Sequence, residues 1–223
     1  MDSKLFLQGI SKFIFGLILV GLMLFLSAGS FMYWQAWLLI GILFIPMFAA
    51  GIILMRKNPD LLRKRLNAKE QQTAQKTVLL FSGLMFAAVF IFAGLNYRYH
   101  WIAVPSWVSW IAAVVFLIGY VLYAKVLREN IWLSRTVEVQ EDQKVIDTGL
   151  YGIVRHPMYM STLLLFLSMP IVLGSVISFG ISMLYIPIIA KRIQNEEQVL
   201  KEGLKGYTEY TKRIKYKVIP FIW

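Results

Sequence analysis

The chain has 223 residues, of which 58% are hydrophobic and 15% aromatic, and it carries a formal net charge of +11. A soluble domain of this length is rarely so apolar, so the composition indicates an integral membrane protein. Its positive charge then reflects topology and anionic headgroups, and we expect no nucleic-acid partner. The absence of cysteine excludes disulfides, thiolate metal ligands and cysteine nucleophiles, and we expect no metal site.

Four apolar segments that approach the ~20 residues of a membrane span occupy the N-terminal part of the chain. They cover residues 13–28, 34–55, 77–95 and 107–127. No small-x-small cleavage site follows the first segment, so we expect it to be retained as a helix. We accordingly divide the chain into an N-terminal membrane part, residues 1–127, and a C-terminal part that holds most of the polar chemistry, residues 128–223.

A last apolar block, residues 162–190, is longer than one span requires. Pro170 and Gly174 interrupt the block, and Pro187 is expected to kink its end. One long tilted helix and a helical hairpin that turns within residues 170–175 both fit this pattern. The hairpin is favoured, since each half can pack against protein inside the membrane.

The distribution of positive charge supports the hairpin. Lys and Arg gather at the N-terminus, in residues 56–76, in residues 125–155 and after residue 190, whereas the two short loops between carry only Arg98. With a hairpin, all four basic regions fall on one side, which the positive-inside rule makes cytoplasmic. The sequence therefore predicts an all-α polytopic membrane bundle of about four spans plus a C-terminal hairpin, five to six membrane helices, with both termini cytoplasmic.

The polar segment before the hairpin contains the motif RHPMY, residues 155–159. His156 precedes a proline and should be extended, and Pro157 is expected to open the next helix. Free backbone N–H groups at such a helix start bind anions, so a carboxylate or phosphate could dock beside Arg155 and His156. Spacing alone fits equally well with Arg155 reaching lipid headgroups and His156 capping the helix.

Two further polar segments follow the hairpin. In AKRIQNEEQVL, residues 190–200, Arg192 and Glu196 are four apart and share a helix face. An isolated pair of this kind is usually a surface ion pair worth tenths of a kcal/mol, although ionisable residues at a membrane border favour a function. The tail, GYTEYTKRIKYKVIPFIW, alternates aromatic and cationic residues and predicts an interfacial segment.

Three of these segments together resemble a known family. DTGLYGIVRHPMY, RIQNEEQVL and GYTEYTKRIKYKVIP, in this order and spacing, are similar to the C-terminal half of the isoprenylcysteine carboxyl methyltransferase and phospholipid methyltransferase superfamily. The resemblance covers roughly residues 128–220. RENIWLS, residues 128–134, and RKNPDLLRKR, residues 56–65, also look like prokaryotic members, whereas the first three spans match only in being apolar.

The resemblance implies a membrane-embedded methyltransferase that uses S-adenosylmethionine, bound between the polar C-terminal segments and the last helices. Arg192 corresponds to the family's arginine near the substrate and is the candidate catalytic residue. Glu196 would pair with the cofactor's ammonium, and His156 with the helix start would take its carboxylate. Carried over by position, the cofactor site comprises Gln140, Gln143, Lys144, Val145, Ile146, Tyr151, His156, Pro157, Met158, Tyr159 and Glu196.

The acceptor implied by this reading is lipophilic and enters from the bilayer. A carboxylate, as in an isoprenylcysteine, is favoured because it needs no general base, whereas a lipid headgroup amine would need one, with Glu197 or His156 as candidates. One alternative is an NADPH-dependent membrane sterol or steroid reductase, which has a similar C-terminal layout. The other is a non-catalytic membrane protein such as a transporter, which is disfavoured because the four spans contain no Asp, Glu or His.

Overall fold

A computed structural model describes residues 3–67, 73–133 and 138–223. Residues 1–2, residues 68–72 of the predicted polar segment and Ser134 of RENIWLS lie outside the described residues. Within those ranges the regular structure is helical and contains no strand, which confirms the predicted all-α bundle. The helices are α1 Ser3–Ala28, α2 Trp34–Lys57, α3 Pro59–Asn67, α4 Thr73–Tyr99, α5 Ser106–Glu129, α6 Pro157–Val172, α7 Val176–Ser182, α8 Tyr185–Gly203 and α9 Tyr207–Arg213.

Five helical stretches are long and apolar enough to cross a membrane. They are α1, α2, α4 from Lys76, α5, and α7 with α8 as one stretch over Val176–Gly203. Helix α6 is apolar but has only 16 residues, about 24 Å at 1.5 Å per residue, against the ~30 Å of the hydrocarbon core. Large apolar side chains such as Leu26, Ile45 and Val121 are about 70% exposed, as befits lipid contact. The chain is an integral membrane protein.

The predicted hairpin is present. Helix α6 ends at Val172, the chain reverses, and α7 begins at Val176 and packs against α6. Gly174 takes the left-handed conformation at the turn, with φ +69°. The turn carbonyls find side-chain donors: the Tyr33 hydroxyl donates to the Leu173 carbonyl at 2.5 Å, and the Asn96 amide donates to the Gly174 carbonyl at 3.3 Å. These two buried carbonyls are thereby satisfied, as buried backbone requires.

A second interruption lies between α7 and α8, at Met183 and Leu184. Pro187 follows as the third residue of α8. Because proline has no N–H, it cannot bond to the Met183 carbonyl, and a continuous helix would also clash there. The break expected from Pro187 thus falls just before it.

Glycines allow close approach at two helix pairs. A Cβ on Gly94 of α4 would lie 1.9 Å from Ser27 Oγ and 2.7 Å from the Leu24 carbonyl oxygen of α1. A Cβ on Gly119 of α5 would lie 3.0 Å from Leu165 of α6. Small residues at such crossings let helix backbones pack tightly within a membrane.

Helix α8 carries the chain from the apolar bundle to its polar end. Its buried face runs through Tyr185, Ile189, Arg192, Ile193 and Glu197, at the spacing of three to four residues that defines one side of a helix. This face begins apolar and becomes charged within three turns. It thereby brings ionisable groups against the first turn of α6.

Candidate functional site

The end of α5 positions the loop that leads to the RHPMY motif. Gly149, at φ +58°, opens a 3-10 turn, and a Cβ there would lie 2.4 Å from Glu129 Oε1. Glu129 Oε2 accepts a hydrogen bond from the Leu150 N–H at 2.8 Å, and Asn130 Nδ2 donates to the Tyr151 hydroxyl at 2.9 Å. Only glycine combines this backbone conformation with room for the glutamate, so Tyr151 is held in place by its own turn and by α5.

The C-terminal tail pairs with the backbone of the motif. The Arg155 N–H donates to the Tyr216 carbonyl at 2.9 Å, and the His156 N–H donates to the Lys217 carbonyl at 2.8 Å. Pro157 opens α6 as predicted, with His156 at φ −126° just before it. The tail therefore uses the N–H groups of the two residues that precede α6, and the anion site expected at the start of this helix stays a prediction.

Glu197 lies at the centre of a buried charged cluster. Its side chain is 8% exposed, and Arg155 Nε donates to its Oε1 at 2.7 Å. His156 Nε2 lies 3.2 Å from the same oxygen, and Lys217 Nζ lies 3.9 Å from Oε2. Arg155 also donates through Nη1 to the Ile214 carbonyl at 2.8 Å. One carboxylate thus joins α8, the motif and the tail.

Arg192 and Glu196 meet at a tyrosine hydroxyl. Tyr159 donates its hydroxyl hydrogen to Glu196 Oε2 and accepts a hydrogen bond from Arg192 Nε at 3.0 Å. Tyr159 and Arg192 are buried, whereas the Glu196 side chain is 25% exposed. The interpretation as an ordinary surface ion pair does not fit, because the arginine is inside the protein.

These groups line an open cleft at the polar end of the bundle. Ten of the twelve residues predicted for the site line it: Gln143, Lys144, Val145, Ile146, Tyr151, His156, Met158, Tyr159, Arg192 and Glu196.

The other two predicted residues, Gln140 and Pro157, do not line the cleft. The Gln140 side chain donates to the Trp132 carbonyl at 2.6 Å, and its N–H donates to Gln143 Oε1 at 2.9 Å. Gln140 therefore shapes the loop that carries Gln143. Pro157 is buried at the start of α6.

Several lining residues were not assigned from the sequence. Tyr207 and Tyr210 stand in the tail motif that carried the resemblance, and Leu200 and Leu204 follow Glu196 at four-residue intervals. Arg155 stands in RHPMY, and Asn130, Trp132 and Leu133 stand in RENIWLS, so these signals were available too, whereas nothing local marked Glu138. The unassigned lining residues are Asn130, Trp132, Leu133, Glu138, Arg155, Leu200, Leu204, Tyr207 and Tyr210.

The two tail tyrosines differ in their hydrogen bonding. Tyr210 donates to the Tyr151 carbonyl at 2.8 Å. The Tyr207 hydroxyl is buried and has no hydrogen-bond partner among the described residues. Burial raises the pKa of Tyr207 and of Tyr151 well above the ordinary value, so both keep their proton at physiological pH. Tyr207 thus offers an unused donor.

The fold and the cleft define a polytopic helical membrane protein with a polar cleft at one end of its bundle. Residues 110–202, about two fifths of the chain, match the isoprenylcysteine carboxyl methyltransferase (ICMT) family. The matched region runs from α5 almost to the end of α8 and includes Tyr151, His156, Arg192 and Glu196. It supports the superfamily predicted from the motifs and the class of membrane methyltransferase.

A curated relative belongs to a different enzyme class. A Delta(14)-sterol reductase of Mus musculus is 26% identical over 91 residues, which cover 40% of this chain and 22% of that protein. The chain therefore spans about a fifth of the length of this relative.

Proposed function

We propose that the protein transfers a methyl group from S-adenosylmethionine to a lipophilic acceptor that reaches the cleft from the bilayer. An isoprenylcysteine-like carboxylate is the favoured acceptor, ahead of a lipid headgroup amine, and the cleft faces the cytoplasm. The observation that carries the proposal is a polar strip of Glu196, Tyr159 and Arg192 in a cleft walled largely by aromatic and aliphatic side chains. Such a strip can orient a charged ligand at the point where α8 leaves the apolar bundle.

The residues present fit this cofactor. Glu196, part-exposed in the cleft, suits an ammonium, and the aliphatic side chains of Val145 and Ile146 suit an adenine. The buried Tyr207 hydroxyl lacks a partner, a state that costs about 1–3 kcal/mol and that a polar ligand group would relieve. The tail occupies the backbone N–H groups of Arg155 and His156, and exposed Lys144 in the cleft wall offers a cation for the cofactor's carboxylate.

When bound, the cofactor supplies an electrophilic methyl group and its own leaving group. The task of the protein is therefore to align the acceptor and exclude water. Arg192 donates through Nε to the Tyr159 hydroxyl, which fixes the guanidinium plane at the cleft wall. A fixed arginine suits recognition of a carboxylate, and a carboxylate acceptor requires no proton removal.

The cofactor is tested by calorimetric titration of the purified protein, in lipid nanodiscs, with S-adenosylhomocysteine. The Glu196→Gln change should weaken binding by about 10- to 100-fold, as expected for losing a charged hydrogen bond of 1.5–3 kcal/mol. Glu202→Gln is the matched control, since Glu202 is exposed on the same helix and outside the cleft. If the folded wild-type protein binds no S-adenosylhomocysteine, or prefers NADPH, the proposal fails, and the NADPH result would favour the reductase.

The acceptor is tested with a radiolabelled methyl donor. A farnesylated cysteine with a free carboxylate should be methylated, whereas the same compound as a carboxamide should not. Arg192→Ala should retain S-adenosylhomocysteine binding and lose most turnover. Labelling of phosphatidylethanolamine vesicles without labelling of the prenylcysteine would overturn the carboxylate assignment.

A further inference from the structure

His156 lies between two carboxylates. Its Nε2 is 3.2 Å from Glu197 Oε1, and its Nδ1 is 3.9 Å from Glu196 Oε1. The imidazole is 5% exposed, so its hydrogen bonds are made within the protein or to a ligand. An ionised carboxylate only accepts hydrogen bonds, and the contact to Glu197 therefore requires the hydrogen to be on Nε2.

Cations also surround this pair of carboxylates. Arg155 and Lys217 both face Glu197, and Arg192 donates to the tyrosine that hydrogen-bonds Glu196. Each carboxylate thus already has a cation near it. A neutral imidazole with its one hydrogen on Nε2 has a lone pair on Nδ1, on the side of Glu196.

We propose that Glu197 is a positioning residue that holds His156 in the Nε2–H tautomer, so that Nδ1 and Glu196 form a two-acceptor site for a primary ammonium group. A single ammonium nitrogen can lie about 2.9 Å from both acceptors when they are 3.9 Å apart. The ammonium belongs to the cofactor, and this part rests on the proposed function. His156 is thereby assigned to the ammonium, whereas the sequence analysis assigned it to the carboxylate.

The tautomer can be read directly by nitrogen NMR. The chain has only two histidines, His100 and His156, so uniform labelling with 15N-histidine gives two imidazoles. A His100→Asn variant identifies the signals of His156. In the ligand-free wild-type protein at pH 8, we expect a protonated Nε2 and an unprotonated Nδ1 for His156. An Nδ1–H tautomer or an imidazolium would overturn the proposal, and this measurement does not depend on any change at Glu197.

The ammonium site is tested by adding S-adenosylhomocysteine and its analogue without the amino group. We expect the first to shift the Nδ1 signal towards that of a hydrogen-bonded acceptor, and the second to leave it unchanged. An equal response to both compounds would overturn the ammonium assignment. If the wild-type protein does not bind S-adenosylhomocysteine, both the ammonium assignment and the proposed function are overturned. The tautomer of His156 in the ligand-free protein would still decide the role of Glu197.

A variant separates positioning from a purely structural role. The Glu197→Gln amide can present either its oxygen or its nitrogen to Nε2, so the Nε2–H preference should weaken and S-adenosylhomocysteine should bind at least about tenfold more weakly. Glu202→Gln should change neither property. A Glu197→Gln protein that retains the tautomer and the affinity would restrict Glu197 to anchoring the tail, and would overturn the positioning role.

Discussion

Replacing Arg155 tests whether the tail is held by a buried ion pair. In Arg155→Met, Glu197 would keep only the His156 contact at 3.2 Å and the Lys217 contact at 3.9 Å. The tail would also lose the side-chain hydrogen bonds to the carbonyls of Ile214 and Lys215, at 2.8 and 3.0 Å. We expect the tail to detach while the membrane helices stay folded.

The magnitude follows from burial. Both side chains of the Arg155–Glu197 pair are 8% exposed. Removing one partner of a buried pair costs about 3–5 kcal/mol, because the other charge remains buried without compensation. At about 1.4 kcal/mol per factor of ten, the tail should open at least roughly 100-fold more often.

The chain provides a matched control in the same region. Arg213 forms an ion pair with Asp147, but its side chain is 62% exposed, and such surface pairs contribute about 0–1 kcal/mol. Hydrogen exchange of residues 214–219 should therefore accelerate strongly in Arg155→Met and little in Arg213→Met. Equal protection in the two variants would refute the reasoning that burial sets the strength of this anchor.

Three further predictions concern single contacts. Tyr207→Phe should weaken S-adenosylhomocysteine binding by about 3- to 10-fold without lowering the thermal unfolding temperature, because its hydroxyl has no protein partner, whereas Tyr210→Phe should lower that temperature. Gly94→Ala should destabilise the protein by about 1–3 kcal/mol through overpacking, whereas Gly180→Ala should not, because the space around its Cβ is open. Similar unfolding temperatures of the two variants would contradict the close contact between α1 and α4. Tyr33→Phe should cost about 1–3 kcal/mol in chemical denaturation, and no loss would mean that the hairpin turn does not need its donor.

The membrane helices were predictable because their signal is local. Runs of apolar residues mark the spans, and a proline with a glycine marks the hairpin turn. Helix α3 was not predicted, since its nine residues are mostly polar and its buried Leu61 and Leu62 are too few to give a periodic pattern. The helix limits also extend beyond the apolar runs, as α1 does by ten residues at its start, because helix continues where apolar composition stops.

The lining of the cleft was predictable for about half of its residues, and the connections between them less so. Motif order located that half because residues from three motifs were carried over together. The pairing of Arg155 and His156 with the tail carbonyls was not predictable, since those partners lie about 60 positions away and no residue type marks a backbone acceptor. The buried contacts of Glu197 were not predictable either. Glu197 follows Glu196 directly, and the 100° rotation between neighbouring residues of a helix turns its side chain away from the cleft and into the protein.

The pairing of the motif with Tyr216 and Lys217 has a consequence for biosynthesis. The apolar spans can enter the membrane one after another as they are made, but Arg155 and His156, which line the cleft, are held by carbonyls from residues 214–217. Before residues 214–217 have left the ribosome, the transmembrane helices can already be inserted. Arg155 and His156 then still lack the carbonyls that hold them in the cleft. A ligand specific for the finished cleft would therefore stabilise the completed polypeptide and leave truncated products unprotected against proteolysis.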